Sequence, residues 1–316
     1  MNGKCKIRAI CISEKKGTQK YMVEEAEFVE GHGILGDAHA GNWHRQVSLL
    51  SFEKIEAFRV RALENALSNG GKNIDFGAFG ENLVVEGIDF ATIPIGSLFQ
   101  SGNVLLEMTQ IGKECHSHCH IFHTVGDCIM PREGVFARVL QGGVVKNGAD
   151  FSMAKRYRAG IITASDKGSR GEREDKSGGV IREIVSAKGY EVVSYALLSD
   201  DQPLLEAEMK RLADGGLADL ILTTGGTGFS PRDRAPEAVI AVADRLAPGI
   251  AEAMRQFSLA ITPRAMLSRS VAAIRGSSLI INLPGSPKAV TESLSAIIDT
   301  LRHGLDVLTG PSADCG

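Results

Sequence analysis

The stretch ADLILTTGGTGFSPRDRAPEAVIAVADRL (Ala218–Leu246) runs from one apolar segment through a glycine-rich turn into another, and that order decides the fold of the second half. ADLIL is short, aliphatic and uninterrupted, as a strand buried on both faces must be. TTGG breaks it, and APEAVIAVADRL, with Pro236 near its start, has the form of a helix. Working outward, RAGIITAS (Arg158–Ser165), YEVVSYALL (Tyr190–Leu198) and SSLIINLPG (Ser277–Gly285) read as further strands. SGGVIREIVSAKG (Ser177–Gly189), Pro203–Leu212 and SPKAVTESLSAIIDTLRHGL (Ser286–Leu305) read as helices, the last one long and amphipathic. Strands alternating with helices imply a mostly parallel sheet covered on both faces, an α/β domain over residues 155–316.

The first half has another grammar. KIRAICIS, RQVSLLS, ENLVVEGI, SLFQSG and NVLLEMTQIG alternate with Gly-rich turns. Many short strands of this kind predict a mostly β barrel or sandwich over residues 1–150. One helix is expected around Glu53–Ala66, with Ile55, Phe58, Leu63 and Leu67 on one face. Lys146–Arg158 is polar and basic without periodicity and reads as the linker.

Bulk properties exclude several classes. A chain of 316 residues favours two domains over one core. A net charge of −3 argues against a large nucleic-acid surface. No signal-peptide core and no bilayer-length apolar run is present, so a cytoplasmic protein without a membrane partner is expected. The 6 cysteines are too few for a disulfide framework. All but Cys315 precede residue 130, as do all histidines but His303, so any thiol or imidazole chemistry belongs to the first half.

In an open α/β sheet, ligands bind beyond the carboxyl ends of the strands. Thr223–Asp233 lies there; Gly225, Gly226 and Gly228 let a ligand approach the backbone, and Thr223, Thr224 and Thr227 add hydroxyls. No Gly-Lys-Ser/Thr follows, so this is not a P-loop. Alone it would be a tight turn. Three more strand-end loops accompany it: SDKGSRGEREDKSG (Ser165–Gly178), LSDDQP (Leu198–Pro203) and NLPGSPK (Asn282–Lys288), the last placing Pro284, Gly285, Ser286 and Lys288 at a helix start. Carboxylates beside an anion cradle suit Mg²⁺, which joins one or two of them to substrate phosphates.

TTGGTGFSPRDRAPEA, AMLSRSVAAIRGSSLIINLPGSPKAVTESL and SDKGSRGEREDKSG resemble the molybdopterin adenylyltransferase family, of bacterial single-domain enzymes and the gephyrin domain, over about Arg158–Thr309. The resemblance implies a three-layer α/β/α domain, usually trimeric, that moves AMP from ATP to the terminal phosphate of molybdopterin and releases pyrophosphate with Mg²⁺ present. It places the two functional aspartates, also the Mg²⁺ ligands, on Asp200 and Asp233, with Asp201 leaving a one-residue ambiguity at the first. It aligns Asp175, Ser177, Ser268 and Arg269 with the family's binding segments. Helix capping is the structural alternative for the acids and Ser177, and a solvated surface arginine for Arg269.

KECHSHCHIFH (Lys113–His123) sets Cys115, Cys119 and His123 four residues apart, one face of a helix. A zinc site, a reactive thiol and a plain cluster all remain open readings. GILGDAHAG, GAFGENLVVEGID, QIGKECHSHCHIF and DCIMPREGVFARVLQGG resemble the MOSC domain of molybdenum cofactor sulfurases over about Lys6–Gly148. That implies a β-barrel-like fold binding a molybdenum cofactor-type ligand, with Cys115 on the family's cysteine and Asp37, His39 and Arg45 in its N-terminal motifs. The expected protein is an adenylyltransferase of molybdenum cofactor biosynthesis, working with other proteins of that process. A non-catalytic molybdopterin carrier and a thiol or metal sensor are the alternatives.

Overall fold

The computed structural model describes residues 5–66, 74–114 and 127–310. The chain forms two compact units, Met1–Lys155 and Arg156–Gly316.

Among its described residues the first unit holds eleven strands: β1 (Cys5–Ile12), β2 (Tyr21–Val23), β3 (Glu25–Val29), β4 (Gly33–Ile34), β5 (Val47–Ser51), β6 (Leu83–Glu86), β7 (Leu98–Ser101), β8 (Val104–Ile111), β9 (Val135–Gln141), β10 (Gly143–Lys146) and β11 (Asp150–Ala154). Seven close into a barrel in the order β11-β7-β8-β9-β5-β6-β1, sealed by the β1–β11 pairing, while β10, β3 and β4 form a separate sheet. Closure removes the exposed strand edges. Alternate residues of the barrel strands fill its interior, where Phe90, Phe99 and Phe151 pack with ring centroids 5.2–6.5 Å apart. Opposite residues of β1, β5 and β6 form a second core with helix α1 (Phe52–Ala66), through Ile55 and Phe58, and with the short helix α2 (Met130–Glu133). The side chain of Leu63, and Leu67 itself, lie outside the described residues.

The linker expected over Lys146–Arg158 is largely strand. Asp150–Ala154 pairs with both β7 and β1, and Phe151 is 1% exposed in the barrel interior. One inward aromatic, with Asp150, Ser152 and Met153 exposed, is all that this strand of five residues presents to a periodicity reading, too little to mark it.

The second unit is a six-stranded sheet of β12 (Arg158–Ala164), β13 (Glu191–Leu198), β14 (Leu220–Thr224), β15 (Arg245–Leu246), β16 (Ala272–Arg275) and β17 (Ser278–Leu283), in the order β13-β12-β14-β17-β16-β15. The first four of that order are parallel and the last two join antiparallel. Its helices are α3 (Asp166–Ser169), α4 (Lys176–Ala187), α5 (Gln202–Asp214), α6 (Ala235–Val242), α7 (Pro248–Leu259), α8 (Pro287–Ser295) and α9 (Ile298–Thr309). Alternate residues of the same strands feed two cores. Ile161, Leu222 and Ile281 pack with α4, α7, α8 and α9, and Ile162, Ile221 and Ile280 with α5 and α6.

Two helices end sooner than expected. The segment Ala235–Leu246 stops at Val242 and continues as the strand β15. The long helix from Ser286 is two, broken at Ala296–Ile297. Val290, Leu294, Ile297, Ile298, Leu301 and Leu305 keep helical spacing across the break, so the apolar pattern carries no trace of it.

Candidate active site

The carboxyl ends of β12, β14 and β17 open onto a cavity of about 730 Å³. Asp175, Ser177, Asp200, Thr224, Gly225, Gly226, Asp233, Gly285 and Ser286 line it together, with Ser165, Arg173, Glu174 and Lys176. The glycine loop can turn there because of two residues. Gly225 has φ +97°, and a Cβ would lie 2.3 Å from the Ala164 carbonyl oxygen. Gly226 has φ +62°, and a Cβ would lie 3.1 Å from that of Ala235. Two hydroxyls then tie the loops to one another: Thr224 Oγ1 donates to the Pro284 carbonyl at 2.6 Å and Ser177 Oγ to that of Gly285 at 2.8 Å.

The two acids hold their places differently. Asp200 Oδ2 accepts the Asp166 N–H at 3.0 Å, and Asp166 Oδ1 accepts the Asp200 N–H at 3.1 Å. Burial, added to by the charges of Asp166 and Asp233 and opposed by the Asp166 N–H, raises Asp200 above the usual carboxylate range. Asp233 Oδ2 accepts the Ser230 N–H at 2.9 Å within the SPRD turn. Asp201 is the exposed cap position of α5, so the acid facing the cavity is Asp200. Asp175 is the helix cap: Oδ1 accepts the Gly178 N–H at 2.9 Å and Oδ2 the Tyr195 hydroxyl proton at 2.5 Å. Ser177, by contrast, sits within the first turn of α4 and does not cap it.

Other expected contacts are elsewhere. Thr227, Gly228, Ser268 and Pro284 line a separate cavity of about 290 Å³. Arg269 is built into the frame: Nε donates to the Gly228 carbonyl at 2.8 Å, one terminal nitrogen to the Asp233 carbonyl at 2.5 Å, and the other to Glu237. It therefore braces the glycine loop and is not the solvated arginine its sequence position allowed. Lys288 is 83% exposed, lies 3.8 Å from Glu292, and lines neither cavity.

The structure adds Asp166, Arg232 and Tyr195 to the residues nominated from sequence. Asp166 holds Arg232 through two bonds of 2.8 and 3.1 Å, and Arg232 directly precedes Asp233. Position on the chain could have flagged Asp166, the first acid after β12. Nothing could have flagged Tyr195, whose partner lies 20 residues away.

In the first unit, a cavity of about 190 Å³ is lined by His39, Trp43, Arg45, Ser48, Asn82, Lys113 and Cys128 among others. Asn82 fixes it, accepting from Ser48 N–H and Oγ at 3.0 and 2.9 Å and donating to the Cys11 carbonyl at 2.9 Å. Arg45 donates through Nε to Gln110 at 2.9 Å and stacks 5.4 Å from the Phe136 ring centroid. Asp37 does not face the cavity; it is buried against Lys20, at 2.8 Å from both oxygens. Burial works to raise Asp37, but Lys20 brings it below the usual range. Burial pushes the Cys11 thiol up to about 12, which makes it inert. Cys115, Cys119 and His123 lie outside the described residues. Among the described residues, no group of three or more His, Cys, Asp and Glu is placed to hold a metal ion.

No helix among the described residues is long and apolar enough to cross a membrane. Residues 160–303 match the family described as "Probable molybdopterin binding domain", and residues 36–152 match the MOSC domain. The chain is 40% identical over 153 residues to the molybdopterin adenylyltransferase of Helicobacter pylori J99, covering 48% of this chain and 87% of that protein. It is 41% identical over 145 residues to the Escherichia coli K12 protein of the same name, covering 45% of this chain and 74% of that one. Among solved structures, the molybdopterin biosynthesis enzyme MoaB of Thermus thermophilus is 49% identical, with 49% of this chain and 98% of that one covered and a TM-score of 0.47. The chain belongs to the molybdopterin adenylyltransferase family through its second unit and carries a MOSC domain ahead of it on the same polypeptide.

Proposed function

We propose that the second unit, a three-layer α/β/α domain, adenylylates molybdopterin within molybdenum cofactor biosynthesis. The observation that carries this is the convergence of Asp200 and Asp233 on one cavity with the glycine loop and the caps of α4 and α8. In the reaction, an oxygen of the terminal molybdopterin phosphate attacks the α-phosphorus of ATP. The bond to the β-phosphate oxygen breaks, and pyrophosphate leaves with the electron pair. The nucleophile is already anionic, so the barrier lies in bringing two anions together in line. The Gly226 N–H of the glycine loop and the start of α8 oppose that repulsion, while the Gly225 N–H donates to the Leu283 carbonyl at 3.4 Å. Thr224 and Ser177 keep the two strand-end loops in register through their carbonyl partners.

The residues fit a hard cation: Asp200 and Asp233 supply oxygen donors, and the raised Asp200 lies in a group of acids that positive charge would relieve. Mg²⁺ bound there would neutralise phosphate charge.

The first unit is proposed to bind a molybdenum cofactor-type ligand in its barrel cavity, where Arg45 and Lys113 offer positive charge above an aromatic floor, or to handle sulfur through Cys115. A functional boundary near residue 155 is proposed, which the division of the chain into compact units supports. A homotrimer through the second unit is proposed as well; Phe229 and Met266, 70% and 67% exposed, are apolar side chains suited to a covered surface.

The experiment is pyrophosphate release by the purified chain with ATP and Mg²⁺, with and without molybdopterin. Release that depends on molybdopterin is expected. Binding of molybdopterin without release would instead make this a carrier.

A further inference from the structure

The cavity described above is lined by the acids Glu174, Asp175, Asp200 and Asp233 and by the cations Arg173 and Lys176, yet its proposed substrates are both polyanions. Of the cations nominated from sequence, Arg269 is committed to two carbonyls and Glu237, and Lys288 lies outside the cavity. Arg232 does not line the cavity in this arrangement, but it directly precedes Asp233, which does. Its backbone is fixed in the SPRD turn, where the Asp233 N–H donates to the Ser230 carbonyl at 2.9 Å and the Ser230 N–H to Asp233 Oδ2 at 2.9 Å. Its side chain is 61% exposed and, among the described residues, is held by the fork onto Asp166. Asp166 in turn exchanges backbone N–H bonds with Asp200. The guanidinium is therefore linked to Asp200 through Asp166, in a pairing of small net strength because it is exposed.

The planar fork that fits a carboxylate fits a phosphate equally well, and a phosphate carries more charge. We infer that Arg232 is a phosphate-binding residue of this site, held on Asp166 when the site is empty and transferred to a phosphate of the bound nucleotide. Only the side chain has to rotate, since the turn already fixes its Cα next to Asp233. Asp166 acts as the competitor: it stores the arginine in reach and lowers the apparent affinity for nucleotide by holding it. The inference rests on the adenylylation reading of the cavity.

A competitor and a strut give opposite signs, which makes the idea testable on the full chain with ATP as the probe, by titration calorimetry. Arg232→Gln is expected to weaken ATP binding by about tenfold, equivalent to about 1.4 kcal/mol. Asp166→Asn keeps an Oδ1 acceptor for the Asp200 N–H but removes the negative charge and the Oδ2 arm of the fork, which loosens the guanidinium, and is expected to tighten ATP binding severalfold. In the double variant the tightening should vanish, because Arg232 is no longer there to be freed. Thermal melts of the three variants check that each is folded. If both single variants weaken binding alike, the pair is a structural strut and the inference fails while the adenylylation reading stands. If Arg232→Gln binds ATP as the unaltered chain does, the inference also fails alone. If the unaltered chain binds no ATP, both fall together.

Discussion

At the scale of single residues, the two cavity acids and the brace behind them separate cleanly in what they should do when changed. Asp200→Asn and Asp233→Asn both keep an oxygen for the N–H groups they accept, from Asp166 and Ser230. Each is expected to lower AMP transfer by about 100-fold or more with little change in melting temperature. Arg269→Ala should instead cost about 1–3 kcal/mol of stability along with activity, because Glu237 and two carbonyls lose a charged partner together. A stable Arg269→Ala variant with only a raised KM for ATP would instead make Arg269 a substrate contact, as its alignment with the family's binding segments implies. A fourth residue sets a pH dependence. Glu81 is wholly buried, and burial pushes it up to about 7 although Gly77 and Phe79 N–H groups donate to it. A carboxyl raised from 4.5 favours folding while protonated, so its contribution is full below about 4.5 and is lost as pH rises to about 7. Denaturant unfolding of the barrel unit should follow that slope, and Glu81→Gln should flatten it. The acids and glycines of the site were legible because each chemistry requires its residue type at a strand end. The roles of Arg269 and Tyr195 were not, since a brace is defined by partners far along the chain.

At the scale of elements, the parallel strands were legible because burial on both faces leaves uninterrupted apolar runs, as in LILTT at β14 and SLIINL at β17. The break between α8 and α9 and the identity of β11 were not, because apolar spacing persists across the first and is too sparse in the second. The β11 finding has a direct check. Phe151→Ala should destabilise the barrel by about 3–5 kcal/mol, the cost of emptying an aromatic site in a packed core. In a linker the same change would be silent, so unfolding free energies from denaturant titration distinguish the two. The start of α4 offers a second check. A Cβ at Gly178 would sit 2.2 Å from Tyr195 Oη and 2.6 Å from Asp175 Oδ2. Gly178→Ala should therefore break the Tyr195–Asp175 bond and lower both stability and AMP transfer, whereas Gly179→Ala, with nothing within 4 Å, should leave AMP transfer unchanged and stabilise the helix by about 0.5–1 kcal/mol.

At the scale of the whole molecule, two units with separate cores should be separable. Asp150–Ala154 belongs to the barrel and Tyr157 to the second unit, through its 2.5 Å bond to Asp306, so a cut belongs between Ala154 and Tyr157. A fragment from Arg156 is expected to be soluble and to keep AMP transfer, because every residue lining the proposed site follows Thr163 or is that residue. The central claim, that this unit moves AMP onto molybdopterin, is tested most directly by transfer of label from α-phosphate-labelled ATP to molybdopterin in a single turnover. The account predicts labelled adenylylated molybdopterin, with one pyrophosphate per label transferred, from the intact chain and from the fragment, and none from Asp233→Asn. An intact, folded chain that binds both substrates and transfers no label would contradict it.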